Sequence, residues 1–92
     1  MTLKELKATE WAKEFKKESP ACYQEALEYA MTSDLKVNVY QELVFIGNET
    51  ETSLNWVISV VDDPTDFWMD AKKTKKEALA LCKLMSWKVV KS

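Results

Sequence analysis

Lysine is the only side chain in this sequence that can supply positive charge in quantity. Lys72, Lys73, Lys75 and Lys76 crowd around Thr74, just ahead of an apolar-striped segment. Lysines at a helix start work against the partial positive charge that the backbone already places there. Such a helix start is built to face an anion, and phosphate is the common case. Histidine and arginine are absent. The usual general base and the bidentate phosphate fork are therefore missing. Gly47 is the sole glycine, so no glycine-rich phosphate loop exists. General acid–base or nucleophilic catalysis would have to run on lysine and carboxylates alone, and the sequence reads as non-enzymatic.

The remaining polar clusters read as structure. Asp62, Asp63, Asp66 and Asp70 lack the spacing of a calcium loop, and Asp-Asp-Pro-Thr is ordinary turn composition. No metal and no cofactor is expected. Cys22 and Cys82 are read as small buried hydrophobes on helix faces, not as a disulfide or a metal pair. No small-molecule substrate is evident.

The elements that would position these residues follow from period and caps. The chain has 92 residues, 47% of them hydrophobic, 30% charged, with a net charge of -2. That describes one globular domain, and not a strongly basic nucleic-acid binder. No apolar run is long enough to be a leader or a membrane span, so an intracellular setting, cytoplasmic or nuclear, is expected. Thr2 and Glu5 form a capping box ahead of a first helix striped by Ala8, Trp11, Ala12 and Phe15. Ser19-Pro20 opens a second helix that buries Tyr23, Ala26, Leu27 and Ala30. Residues 39–46 read as a strand, and Leu54, Trp56, Ile58 and Val60 alternate along another. A turn at residues 62–65 leads to a third strand over 67–71. Thr74 and Glu77 then cap a helix whose stripe is Ala78, Leu81, Cys82 and Met85. Residues 86–90 read as a short extra strand or a packed tail.

The expected fold is therefore α+β, in the order α-α-β-β-β-α. A three-stranded antiparallel sheet should carry its helices on one face, with a short strand or a packed tail at the end. Residues 1–18 are read as an added helix packed on the domain formed by residues 19–92.

This order and several spacings resemble the double-stranded RNA-binding domain, over about 66 of the 92 residues. Glu28-Tyr29 resembles the acid–tyrosine pair of that family's first helix. Tyr40 lies twelve residues after Glu28, Gly47 seven after Tyr40, and Leu54 seven after Gly47. Thr74-Lys75-Lys76-Glu77-Ala78 resembles the family's Ser-Lys-Lys-x-Ala. The resemblance implies three RNA contacts: the first helix through Gln24 and Glu28, the loop through Gly47, Asn48 and Thr50, and the helix start through Lys72, Lys73, Lys75 and Lys76, aided by Lys83. A-form RNA is read this way because its shallow minor groove offers 2′-hydroxyls and its narrow major groove is lined by phosphates.

The sequence also departs from that pattern. The loop lacks the family's proline and histidine and adds Glu49 and Glu51, and Leu79 stands where a third lysine belongs. Apolar residues mark both faces of the sheet, with Val57, Val61 and Trp68 on the outer side. That face needs the N-terminal helix, with Trp11 and Phe15, or a partner to cover it. The leading expectation is a protein-interaction or self-association module with weak duplex-RNA contact, its candidate contacts being Leu79, Val57, Val61 and Trp68. The alternatives are a working duplex-RNA binder and a small phage or mobile-element effector that inhibits a host protein.

Overall fold

A computed structural model describes residues 2–46 and 51–92. The chain divides into two compact units, Met1–Leu35 and Lys36–Ser92.

The first unit is helical. Helix α1 (Leu3–Lys7) carries the expected capping box, with the Thr2 hydroxyl accepting from Glu5 N–H and the Glu5 carboxylate accepting from Thr2 N–H. The hydrogen bond from Thr2 N–H, and after it the Thr2 hydroxyl, hold the exposed Glu5 carboxyl below its usual value. One continuous first helix was expected, and the chain breaks it at Ala8–Thr9. The reason is local: the Thr9 hydroxyl donates to the Leu6 carbonyl at 2.6 Å and accepts from Ala12 N–H at 3.2 Å. Thr9 thereby ends one helix and caps α2 (Glu10–Glu18). Ser19 makes no side-chain cap, and Pro20–Cys22 forms a single 3-10 turn before α3 (Tyr23–Ala30). Leu6, Trp11, Ala12, Ala26 and Leu27 are buried, while Tyr23 and Ala30 are only half so. Cys22 is exposed on the 3-10 turn, against the expectation that both cysteines are interior.

The second unit is a four-stranded mixed sheet with one helix, so the α+β class holds and the three-stranded antiparallel sheet does not. Strands β1 (Lys36–Ile46), β2 (Glu51–Val60) and β3 (Trp68–Lys72) form an antiparallel meander. Helix α4 (Lys75–Met85) follows, and β4 (Lys88–Lys91) returns parallel to β1, giving the order β3-β2-β1-β4. The Asp62–Asp66 turn is closed by its own polar groups, since the Asp63 carboxylate accepts from Thr65 N–H at 2.7 Å. Ser86 ends α4 in the left-handed region (φ 61°), which lets Trp87 N–H reach back to the Cys82 carbonyl at 2.8 Å.

Register assigns the faces. Val37 pairs with Val60, Val39 with Ile58, Gln41 with Trp56 and Leu43 with Leu54, so these eight share one face. Helix α4 lies on that face: Lys75 Nζ stands 5.5 Å over the Trp56 ring, and Asp70, opposite Ile58, acts electrostatically on Cys82. Val37, Val39, Ile58, Val60, Ala78, Cys82 and Met85 are buried. Leu81 is half-buried, short of the interior place expected for it.

Candidate functional site

Chain direction brings the lysines and the β1–β2 hairpin to one end of the sheet. β1 and β3 run the same way, so the segment after β1 and the segment after β3 leave at the same end. Lys72, the last residue of β3, pairs with Trp56, and α4 begins three residues later, over the Trp56 ring. Thr74 fixes that start, its hydroxyl accepting from Glu77 N–H at 3.1 Å.

The hairpin outruns the helix. At 11 residues each, β1 is about 36 Å long and α4 only about 16 Å. The helix starts at the Trp56 level and runs back toward Val60, so α4 does not extend over the described residues of the far half of the hairpin. Neither neighbouring strand reaches it: β3 pairs with β2 from Trp56 to Ser59, and β4 pairs with β1 only at Lys36, Val37 and Asn38. Leu43 and Leu54 therefore stand directly opposite one another, 59% and 54% exposed. Leu54 was expected in the core. Alternation places it on the correct face, but beyond the end of the helix that would bury it.

The lysines are differently engaged. Lys72 Nζ lies 3.5 Å from Asp70, a partly exposed pair whose contribution is at most about 1 kcal/mol. Lys75 rests over Trp56, which at such a site is worth about 0.5–1 kcal/mol. Lys73 and Lys76 are exposed. Lys83 is exposed too, but eight residues along α4 from Lys75, about 12 Å by helical rise, so it is not part of the group. Gln24 and Glu28 are exposed on α3, in the other unit. Gly47, Asn48, Glu49 and Thr50 lie outside the described residues.

The expected protein contacts are distributed unevenly. Val57 is fully buried, Val61 and Leu79 are half-buried, and Trp68 is 37% exposed. Leu79 was expected to be exposed, and its position one turn in from Lys75 brings it partly under cover. The exposed pair Leu43 and Leu54 was missed as a site. The strand patterns are longer than the helix can span, but where the helix starts over the sheet is not written in any local pattern.

The buried thiol is not poised as a nucleophile. Cys82 is buried, which pushes its thiol up from 9.0 to about 11, and Cys22 is a free exposed thiol. Among the described residues, no helix is long and apolar enough to cross a membrane. No family model, curated protein or solved structure matches the chain.

Proposed function

We propose that this chain is a non-enzymatic interaction module that docks a protein partner through the far half of its β1–β2 hairpin. The observation that carries this is the exposed Leu43–Leu54 pair. Single exposed leucines carry no message. Two set opposite each other, where among the described residues no strand pairs with the outer edges, form a contiguous apolar spot with backbone groups beside it. Two free cysteines fit a reducing intracellular setting.

Weak duplex-RNA contact is the second reading, supported by Lys73, Lys75 and Lys76 at the start of α4. The meander β1-β2-β3 followed by a helix supports the resemblance to double-stranded RNA-binding domains, with β4 as an addition. Charge works against tight binding: the net charge is -2, and Lys72 already faces Asp70.

The test is a photo-crosslinking amino acid placed at Leu54, with one at exposed Glu14 as control, in cells expressing the chain. Discrete protein adducts should form at position 54, and Leu43→Lys should remove them while lowering the melting temperature by a few degrees at most. The same adduct pattern from both positions would defeat the proposal.

A further inference from the structure

We infer that the partner is a second copy of this chain, added edge to edge. Residues 40–46 of β1 pair antiparallel with residues 46–40 of the other copy, about a two-fold axis at Leu43. This rests on the interaction reading above and names its occupant.

Backbone polarity is the first support. Val61 N–H donates to the Lys36 carbonyl at 3.1 Å, one step beyond the Val37–Val60 pair. Even-numbered residues of β1 therefore turn their N–H and C=O groups toward β2, and odd-numbered ones turn theirs the other way. Val37 uses that side to meet β4, which stops at Lys91 opposite Asn38. A hollow of about 420 Å³ marks the place, lined by Tyr40, Gln41, Trp56 and Lys91 among others. From there on, Gln41, Leu43 and Phe45 aim their backbone groups at an edge with no strand on it among the described residues. Leu43 N–H is met at 3.4 Å by Oε1 of its exposed neighbour Glu42, a contact that an incoming strand can replace.

The symmetry of the segment is the second support. The open edge runs from the end of the β4 pairing at Asn38 to Ile46, and pairing about Leu43 uses residues 40–46 of it in both copies. Gln41 then stands opposite the other copy's residue 45, and Leu43 opposite Leu43. These are the outward-facing residues, and their three pairs exchange about six hydrogen bonds, two for each pair.

Side-chain chemistry agrees with that centre. Leu54 flanks Leu43 on the same face, so two copies align four leucines across four adjacent strands, spaced about 5 Å apart. Each covers a neighbour that is more than half exposed in the single chain. Glu42 falls opposite Val44. Moving the centre one residue toward β4 would set Glu42 against Glu42 at the closest approach of an antiparallel pair, a like-charge contact that opposes pairing; moving it the other way, to Val44, would shorten the paired segment to residues 42–46.

Sedimentation equilibrium from micromolar to millimolar protein is the primary test. The apparent mass should climb from 10.6 kDa toward twice that value. Gln41→Pro removes an edge-facing N–H and leaves the β2 ladder and both leucines in place. It should weaken the dimer about tenfold or more, since two inter-copy hydrogen bonds disappear. Should that variant fail to fold, a disulfide decides the matter. Leu43→Cys in a Cys22→Ser background should oxidise to a covalent dimer, because such a pair has a Cα separation of about 5.5 Å, within disulfide reach. Glu42→Cys should not. A wild type that stays monomeric, a folded Gln41→Pro that dimerises like wild type, or equal cross-linking from positions 42 and 43 would overturn the inference. Adducts from Leu54 to a different protein, with a monomer in the centrifuge, would overturn it while leaving the interaction reading intact.

Discussion

Replacing Ile58 and Leu54 by alanine, one at a time, measures where helix α4 ends. Both lie on the same face of β2, two strand repeats apart, and the alternating pattern treats them alike. The structure does not: Ile58 is 0% exposed, opposite Val39, and Leu54 is 54% exposed, opposite Leu43. Ile58→Ala removes packed carbons and leaves a cavity that close-packed neighbours fill only in part, which costs about 2–5 kcal/mol. Full burial of a leucine is worth about 1.5–3 kcal/mol, so a side chain more than half in water yields about 1 kcal/mol or less when trimmed. No closed cavity forms there. Urea unfolding followed by tryptophan fluorescence, at unchanged m value, reads the difference as a shift in midpoint. In thermal melts the Ile58 variant should lose about 10 °C or more and the Leu54 variant a few degrees. Equal losses would refute the reasoning, because they would require helix or partner coverage along the whole hairpin in the isolated chain.

Two further outcomes are expected. The folded Cys82 thiol titrates near 11 and its ordinary value is 9.0, so the unfolded chain releases that proton first. Stability relative to a Cys82→Ala variant is fully present below about pH 9 and falls as the pH rises toward about 11; a wild type and variant with parallel alkaline profiles would contradict the burial of this thiol. Lys75→Ala combined with Lys76→Ala should abolish binding to a short RNA duplex while lowering the melting temperature by only the few degrees that the lost Lys75–Trp56 contact accounts for, and the wild-type affinity should fall with salt at a logarithmic slope of about 0.7–0.9 for each phosphate that a lysine neutralises. Duplex binding that survives the double change would remove the start of α4 as the RNA site, and a wild type that fails to bind at low salt would remove RNA altogether.

Much of the fold was legible because it is written in short-range chemistry. The Thr2–Glu5 box and the Thr74 cap lie within one helical turn, so residue identity alone locates both helix starts. Alternation over Leu54, Trp56, Ile58 and Val60 marks one strand face, and the register bears that out. The break at Thr9 was also local, but Ala8, Trp11, Ala12 and Phe15 continue a helical stripe across it and conceal a hydroxyl that caps from within. The apolar segment at the chain's end read as a short strand or a packed tail, and its partner was not legible at all: a parallel neighbour is set by a crossover, which leaves no periodicity of its own.

For the candidate surface, the sequence by itself determined the side chains: lysines without arginine or histidine, an apolar hairpin, and a helix whose first turn is cationic. It also determined which strand positions share a face, because that depends only on a period of two. Tertiary structure decided which members of a face are covered. Coverage depends on where α4 begins over the sheet, at Trp56, and on how far it runs, a strand residue advancing about twice as far as a helical one. That mismatch buries Ile58 and leaves Leu54 and Leu43 in water. It also depends on where β4 stops, at Asn38, which leaves the outer edge of β1 without a strand among the described residues. Neither endpoint is a property of any local window of residues, so the surface became visible only when the sheet and its helix were laid side by side.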